Sequence, residues 1–235
     1  MDERSYYEEY WSPDGFSPTG QVFPGVRTVL DSRLTPGMRC LDFGCGDGHG
    51  AGTYINQKGC RYVGIDISFG ALRKAQSNGL HVCQVRDPNG LPFRSGAFDA
   101  VVCLEVLEHL FRPDLALAEF RRVLRPSGVL IVTVPNAAYW HRRVELAVMG
   151  RWNPYGDNRS ITEPWRDPHI RFLTKNALRN VIKQAGFDKV SIGGHGGGIP
   201  WLRHRSSLVE RTYRGLEKHW PAMLASNLIA VAYRP

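Results

Sequence analysis

Short apolar runs alternate with amphipathic, helix-like segments along most of this chain of 235 residues. Each run has the length and the flanking turn residues of a β-strand. Alternating strands and helices are typical of a parallel sheet with helices on both faces. The predicted fold is therefore α/β and Rossmann-like, with seven mostly parallel strands. The predicted strands cover residues 39–43, 62–66, 81–85, 98–104, 129–134, a short stretch near 190, and 228–233.

Polar and glycine residues mark the ends of the predicted helices. Ser68 and Thr174 are N-cap candidates, because a hydroxyl at this position can accept a backbone N–H of the first helical turn. Stretches rich in glycine or proline are predicted to be a turn at residues 126–128 and a flexible loop at residues 193–198. The predicted helices cover residues 50–58, 68–77, 113–124 and 174–185.

The regular pattern breaks after the fifth predicted strand, where aromatic residues, arginines and prolines cluster. Residues 137–169 are therefore predicted to be an insertion or lid on the acceptor side of a single domain that spans residues 1–235. Residues 1–36 are predicted to be an N-terminal cover, since the aromatic run between Tyr6 and Trp11 has helical spacing. A surface packing helix is the alternative for this run.

The composition fits a folded domain, with 43% apolar and 22% charged residues. No apolar run follows Met1 as in a secretory signal, and none reaches the length of about 18 residues that a membrane span needs. We therefore predict a soluble, cytoplasmic protein. The five cysteines are odd in number and include no Cys-x-x-Cys pair, which favours reduced, mostly buried thiols over disulfides or a zinc site.

The net charge of +8 favours an anionic partner such as nucleic acid. The arginines are scattered, however, and no long basic block occurs in the sequence. A nucleic acid is therefore the less favoured partner, and a small-molecule acceptor is the favoured one. Whether the chain forms a homodimer stays open.

The strongest chemical signal lies at the turn after the first predicted strand, where residues 41–48 have the sequence LDFGCGDG. Glycines at such a turn let the backbone bend tightly and approach a ligand closely. Asp66 ends the second predicted strand, 20 residues after Gly46. A carboxylate at this position can accept hydrogen bonds from both hydroxyls of a ribose.

Two classes of cofactor suit this geometry, namely dinucleotides and S-adenosylmethionine. Asp42 and Asp47 flank the turn and would repel the diphosphate of a dinucleotide. S-adenosylmethionine contains no phosphate and carries a cationic ammonium group and a cationic sulfonium group, which suit acidic neighbours. The pattern therefore favours S-adenosylmethionine over NAD, and over a tight turn with solvated acids.

Several stretches within residues 37–136 resemble the motifs of class I S-adenosylmethionine-dependent methyltransferases. Residues 41–48 are similar to their first motif, residues 64–68 to their second, and residues 87–99 to their third and the entry to the fourth strand. The resemblance implies that the first motif holds the methionine end of S-adenosylmethionine, the second its ribose and the third its adenine. For Asp87, a simple turn is the alternative. The implied cofactor-binding residues are Asp42, Gly44, Gly46, Asp66, Ile67, Asp87 and Leu104.

A second group of polar residues follows the fourth predicted strand. Glu105, Glu108 and His109 share one face if they begin a helical turn. They then lie at the carboxyl end of the sheet, where such folds bind ligands. Carboxylates together with an imidazole suit Mg²⁺ or Mn²⁺, and His169 is the candidate for a fourth ligand. A metal-free cofactor pocket and simple salt bridges are the alternatives.

The combination of this run with His169 resembles the metal-dependent O-methyltransferases of ubiquinone biosynthesis. It also resembles the enzymes that methylate the terminal ribose of small RNAs. Both resemblances imply an acceptor with vicinal oxygens. The segment between the run at residues 105–109 and His169 resembles neither family. Residues 135–151 instead resemble methyltransferase-like proteins associated with methionine biosynthesis. A regulatory or partner-binding role therefore stays open.

Together these patterns predict an O-methyltransferase that acts on a sugar or polyhydroxylated small molecule with assistance from Mg²⁺. His109 or His141 is the candidate general base, because a hydroxyl is a poor nucleophile until it loses its proton. The alternative for His141 is a surface histidine that has no role in catalysis. Ribose 2′-O-methylation of RNA and a non-catalytic, cofactor-binding partner protein are the competing functions.

Overall fold

The computed structural model describes residues 3–11, 22–152, 162, 167–198 and 207–235. Its strands are β1 (Arg39–Phe43), β2 (Arg61–Asp66), β3 (Val82–Gln84), β4 (Phe98–Leu104), β5 (Leu124–Pro135), β6 (Asp188–His195) and β7 (Asn227–Tyr233). Its helices are α1 (Glu3–Tyr10), α2 (Pro24–Arg33), α3 (Ala51–Gln57), α4 (Phe69–Ser77), α5 (Pro113–Val123), α6 (Trp140–Met149), α7 (Lys175–Gln184), α8 (Ser207–His219) and α9 (Pro221–Leu224).

The strands form one sheet in the order β3-β2-β1-β4-β5-β7-β6. Neighbouring strands are parallel except for β7, which runs antiparallel to both β5 and β6. The prediction of an α/β fold with a mostly parallel, seven-stranded sheet is confirmed. The chain order reverses between β1 and β4, and sheets of this kind bind ligands beyond the carboxyl ends of the strands at such a point.

Apolar side chains cover both faces of the sheet. On one face, Leu117 and Phe120 of α5 and Leu178 of α7 are fully buried against the strands. On the other face, Leu30 of α2 and Ile55 of α3 are fully buried. Helix α2 is therefore part of the core, although it falls within the predicted cover of residues 1–36. A rigid sheet packed on both sides fixes the ends of β1, β2 and β4 relative to one another.

Both predicted helix caps are confirmed. The Ser68 hydroxyl accepts a hydrogen bond from the backbone N–H of Ala71 at the start of α4. The Thr174 hydroxyl accepts one from the backbone N–H of Ala177 at the start of α7. A β-hydroxyl satisfies one of the backbone donors that a helix leaves unpaired in its first turn.

The predicted turn at residues 126–128 is wrong and the predicted loop at residues 193–198 is wrong in its first half, because the sheet includes these residues. The predicted turn at residues 126–128 is a bulge inside β5, where Ser127 has a φ of 60° and the pairing with β4 shifts register. The predicted flexible loop at residues 193–198 begins inside β6, where Gly193 and Gly194 pair with β7. Pairing with a neighbouring strand supplies backbone hydrogen bonds that overcome the weak strand propensity of glycine.

The predicted insertion is partly regular, since α6 occupies its first half. Residues 153–161 and 163–166 lie outside the described part of the chain, and they include the predicted lid aromatics Tyr155 and Trp165.

Three of the five cysteines are buried, whereas Cys45 is half-buried and Cys83 is exposed. In the described part of the chain, no helix has the length and apolar character needed to cross a membrane.

Candidate functional site

The loop after β1 depends on glycine at two positions. Gly44 and Gly46 have φ values of 72° and 54°, in the left-handed region that residues with a side chain rarely adopt. A Cβ atom on Gly44 would lie 2.4 Å from Cγ2 of Val106, and one on Gly46 would lie 2.5 Å from Cζ2 of Trp11. The backbone of this loop is therefore closely packed between Val106, which follows β4, and Trp11, which follows helix α1.

Asp66 joins the end of β2 to this loop. Its Oδ2 atom accepts a hydrogen bond from the backbone N–H of Gly46 at 2.9 Å, and its Oδ1 atom accepts one from the backbone N–H of Ser68 at 2.9 Å. Burial raises the pKa of Asp66, and the backbone hydrogen bonds oppose this rise in part. A carboxylate oxygen can accept more than one hydrogen bond, so Asp66 retains capacity for the hydroxyls of a ligand.

Asp42 is a buried carboxylate beside the same loop. Its side chain is 3% exposed, and its Oδ2 atom accepts a hydrogen bond from the Tyr62 hydroxyl at 3.0 Å. Burial raises the pKa of Asp42 to about 7, and the nearby charge of Asp66 also raises it. Neither carboxylate forms an ion pair with a basic side chain of the described residues. A cationic ligand at the loop would favour the charged form of both acids.

The remaining predicted cofactor residues lie at or after the ends of β2, β3 and β4. Leu104 is half-buried at the end of β4. Ile67 follows Asp66, and its carbonyl oxygen accepts a hydrogen bond from Nε2 of Gln84 at 2.7 Å. Asp87 is exposed, and its Oδ1 atom accepts a hydrogen bond from the backbone N–H of Asn89 at 2.8 Å. Asp87 thus forms the turn that was the alternative interpretation, and its contact with adenine stays a prediction.

Helix α1 lies against the cofactor loop and the start of α4. The Glu8 carboxylate accepts hydrogen bonds from the backbone N–H groups of Phe69 and Gly70, at 2.8 and 3.0 Å. The Trp11 carbonyl accepts one from Nζ of Lys74 at 2.9 Å, and the Trp11 ring is buried over Gly46. Sequence reasoning identified the aromatic run of α1 but not Glu8, whose partners lie about 60 residues away in the chain.

The polar group after β4 is arranged differently from the prediction. Glu105 has a φ of 55°, and the 3₁₀ turn begins only at Leu107. Ligand atoms of Glu108, His109 and His169 all lie within 4.8 Å of one another, and Glu105 is outside this group. The prediction that Glu105 shares one helical face with Glu108 and His109 is therefore wrong, because the left-handed backbone at Glu105 breaks the helical spacing. Its Oε2 atom instead accepts a hydrogen bond from Nδ2 of Asn227 at 3.0 Å.

The two histidines of this group are in contact, with ring centroids 4.6 Å apart. Nδ1 of His109 lies 3.2 Å from the carbonyl oxygen of Pro168, and Nδ1 of His169 lies 2.6 Å from Oδ1 of Asp167. Because a carbonyl oxygen only accepts hydrogen bonds, we assign the proton of His109 to Nδ1. Burial, followed by the charge of His169, lowers the pKa of His109 to about 4, so its imidazole is neutral at physiological pH.

Glu108 has an unusual environment for a carboxylate. Its side chain is 1% exposed, and neither oxygen has a hydrogen-bond partner among the residues that the structure describes. Burial raises the pKa of Glu108 well above its ordinary value, and the charge of Glu105 adds to the effect. Buried polar groups normally have partners, so a carboxylate in this environment, beside two imidazoles, has the capacity to bind a cation. Oxygen and imidazole ligands fit Mg²⁺ or Mn²⁺, and the residues of this group therefore fit a divalent cation.

The structure does not bring His141 into this group. His141 lies in the first turn of α6, where its Nδ1 atom is 3.4 Å from Oε2 of Glu145 and its ring stacks on Tyr139. Its predicted role as a base stays a prediction.

Asp167 and Pro168 are functional candidates that sequence reasoning missed. An acid two residues before a candidate ligand histidine was the available signal for Asp167.

The fold and the buried acids at the carboxyl edge of its sheet are compatible with an α/β enzyme that uses a cationic nucleoside. A family model described as a methyltransferase domain matches residues 20–192, and the chain belongs to this family. The chain is an S-adenosylmethionine-dependent methyltransferase, as its sequence motifs predicted. The expected cofactor, S-adenosylmethionine, is confirmed, and the dinucleotide alternative is not supported.

Two relatives with curated names are similar to this chain over most of their length. A probable S-adenosylmethionine-dependent methyltransferase of Mycolicibacterium smegmatis is 29% identical, over 93% of this chain and 88% of that protein. A ubiquinone biosynthesis O-methyltransferase of Idiomarina loihiensis is 26% identical, over 79% of this chain and 77% of that protein. Among solved structures, an S-adenosylmethionine-dependent methyltransferase from Archaeoglobus fulgidus shares the fold, with a TM-score of 0.65 and 17% identity over 99% of this chain and 100% of that one.

Proposed function

We propose that this methyltransferase transfers a methyl group to a hydroxyl oxygen of a sugar or polyhydroxylated small molecule, with a divalent cation held by Glu108, His109 and His169. The buried carboxylate of Glu108, which has no hydrogen-bond partner among the described residues, is the observation that carries the proposal. Glu105 lies outside the three-residue group but close enough to raise the pKa of Glu108, and in the proposal it adds negative charge near the cation without binding it.

The cofactor lies next to this group in the proposal. S-adenosylmethionine supplies a methyl group that its sulfonium already activates. The backbone of Gly44 and Gly46 provides the surface on which the cofactor rests, Asp42 and Asp66 neutralise its positive charge, and Asp66 accepts the ribose hydroxyls. Val106 contacts the Gly44 backbone and directly precedes the turn with Glu108, so the two sites adjoin.

A divalent cation at the group would bind two adjacent oxygens of the acceptor and stabilise the charge that forms when a hydroxyl loses its proton. Glu108 and His109 are suited to hold it, because a buried carboxylate gains a counter-charge and a neutral imidazole offers a lone pair. A His109 that uses this lone pair as a ligand is not available as a base. The proton then passes to His141 or to solvent.

Two further parts of the proposal concern the surroundings of the site. The described parts of the predicted insertion, α6 and residues 167–169, support its role on the acceptor side, because α6 begins near the end of β5 and His169 belongs to the proposed cation site. Helix α1 covers the cofactor, because Trp11 lies over Gly46 and the ring of Tyr7 lies edge-on to His109, with centroids 6.0 Å apart. We place the reaction in the cytoplasm.

Methylation of a ribose hydroxyl in RNA is the second candidate function. The net charge of +8 favours it. A tRNA (carboxymethyluridine(34)-5-O)-methyltransferase of Arabidopsis thaliana is 32% identical over 62% of this chain and 34% of that protein. The name of this relative supports RNA as an acceptor class, but the methylated oxygen that it names is not a ribose hydroxyl. Binding of RNA to this chain would weaken steeply with added salt, whereas binding of a neutral polyol would not.

The test uses the purified protein, S-adenosylmethionine and a panel of sugars, catechols and short RNAs. Methyl transfer to an acceptor with vicinal hydroxyls should stop on addition of EDTA and recover with Mg²⁺ or Mn²⁺. Glu108→Gln should abolish this recovery, whereas Asp114→Asn, at an exposed ion pair with Arg112, should leave it unchanged. Full activity in the presence of EDTA would refute the role of the cation.

A further inference from the structure

The segment of residues 167–169 contacts both imidazoles of the three-residue group. We infer that Asp167 is a positioning residue, which fixes the orientation and the tautomer of the His169 ring so that Nε2 is the nitrogen presented to the cation. The effect of Asp167 on metal binding rests on the proposed function, whereas the hydrogen bonds between Asp167 and His169 do not depend on it.

Asp167 holds His169 by two hydrogen bonds to one oxygen. Oδ1 of Asp167 lies 2.6 Å from Nδ1 of the His169 ring and 3.0 Å from the backbone nitrogen of His169. A carboxylate only accepts hydrogen bonds, so the proton of this contact is on Nδ1. A cation at the group would therefore be bound through Nε2 of His169.

The neighbouring residue imposes the same tautomer on the second histidine. The carbonyl oxygen of Pro168 lies 3.2 Å from Nδ1 of His109, and Nε2 of His109 is directed towards Glu108, 3.9 Å from its Oε1 atom. One short segment thus commits both Nδ1 atoms as donors. His109 has a neutral carbonyl partner and His169 has an anionic one, which makes Asp167 the stronger influence on ligand basicity.

Contacts other than those of Asp167 also hold the segment in place. The backbone N–H groups of Ile170 and Arg171 both donate to the carbonyl oxygen of Glu108 at 3.0 Å. The Arg171 side chain donates through Nη2 to the carbonyl oxygen of Phe111 at 2.6 Å. These bonds join the segment to the turn after β4, so replacing Asp167 should release the His169 ring without releasing the segment.

Partners of this kind, outside the ligand set itself, matter for metal binding. Replacing the residue that accepts the second ring proton of a ligand histidine typically lowers metal affinity or activity by about 10- to 100-fold. The expected effect of Asp167→Ala is therefore a loss of Mn²⁺ affinity in this range. Asp167→Asn keeps an amide oxygen that can accept both hydrogen bonds but lacks the charge, so its loss of affinity should be smaller.

The experiment compares wild type, Asp167→Ala, Asp167→Asn and Asp114→Asn as a matched surface control. Mn²⁺ affinity is measured by calorimetry, and the tautomer of each histidine is measured by nitrogen NMR on the metal-free protein. We expect His169 to carry its proton on Nδ1 in wild type and in Asp167→Asn, and to lose this preference in Asp167→Ala. His109 should keep its tautomer in every variant, and S-adenosylmethionine affinity should not change.

The two readouts separate this inference from the proposed function. A wild-type protein that binds no divalent cation would contradict the proposed cation site, while the tautomer of His169 would still decide the role of Asp167. An unchanged His169 tautomer in a folded Asp167→Ala protein would overturn the inference. So would an unchanged Mn²⁺ affinity in that variant when wild type binds the ion. If Asp167→Ala does not fold, a wild-type Mn²⁺ affinity in Asp167→Asn would overturn the role of the carboxylate charge.

Discussion

The hydroxyl of Tyr62 donates a hydrogen bond to the buried carboxylate of Asp42 at 3.0 Å, at the base of the cofactor loop. The contact is closely packed, since a Cβ atom on Gly64 would lie 2.5 Å from the Tyr62 hydroxyl and 2.8 Å from Sγ of Cys45. One hydrogen bond compensates only part of the cost of burying a charge. Asp42 is therefore poorly solvated until a cationic ligand lies nearby.

Asp42→Asn should make the cofactor-free protein more stable at neutral and alkaline pH. The raised pKa of Asp42 means that the folded state holds the proton more tightly than the unfolded state, so stability falls as pH rises from the ordinary value of 3.8 to about 7. The amide keeps an acceptor for Tyr62 without a charge. We expect a gain of about 1–3 kcal/mol, the typical cost of a poorly satisfied buried polar group. Urea unfolding at several pH values measures it, and a destabilised variant would contradict this account.

The affinity for S-adenosylmethionine should fall as pH decreases through about 7, because the Asp42 carboxyl then becomes neutral. Binding of the cationic cofactor should lower the pKa of Asp42 and release a proton. Calorimetry in buffers of different ionisation enthalpy measures this release. In Asp42→Asn the proton release near neutrality should disappear, and affinity should fall by about tenfold, equal to ~1.4 kcal/mol. Proton uptake on binding would show that the sign is wrong.

Glu8→Gln should loosen helix α1 and speed the dissociation of S-adenosylmethionine. A carboxylate at a helix N-terminus is stabilising by roughly 0.5–2 kcal/mol, through backbone hydrogen bonds and the helix dipole. Loss of this charge at α4 should raise amide exchange in residues 3–11. Stopped-flow release of the cofactor and hydrogen exchange measure the two effects. Glu9→Gln, at the exposed neighbouring position, is the control, and equal behaviour of the two variants would remove the role given to Glu8.

His169→Ala should abolish stimulation by divalent cations while S-adenosylmethionine affinity stays unchanged. His169 belongs to the three-residue group, whereas the cofactor contacts in the proposal come from the loop after β1 and from the end of β2. Steady-state rates with and without Mg²⁺, together with cofactor titration, measure the two properties separately. A matching loss of cofactor affinity would assign His169 to the cofactor pocket instead.

Local sequence signals predicted most of the fold and the glycine-dependent loop after β1. The bounds of β1 and β4 match the prediction residue for residue, because each strand is an apolar run closed by turn residues. The loop after β1 was recognisable because its glycines are needed for its backbone conformation, and Asp66 because it ends the next strand.

The errors arise where distant contacts decide the structure. Glu105 was misplaced because a left-handed backbone at one residue is not visible as a pattern. The bulge around Ser127 and the strand at Gly193 depend on pairing with neighbouring strands. The contact between Glu8 and α4 joins segments that nothing in the sequence links.

Anomalous X-ray scattering tests the central claim most directly. Crystals grown with S-adenosylhomocysteine and soaked in Mn²⁺ should show a single strong anomalous peak bounded by Glu108, His109 and His169, and the peak should vanish in Glu108→Gln. A wild-type crystal with the nucleoside bound at the loop after β1 and no anomalous peak at these three side chains would contradict the claim.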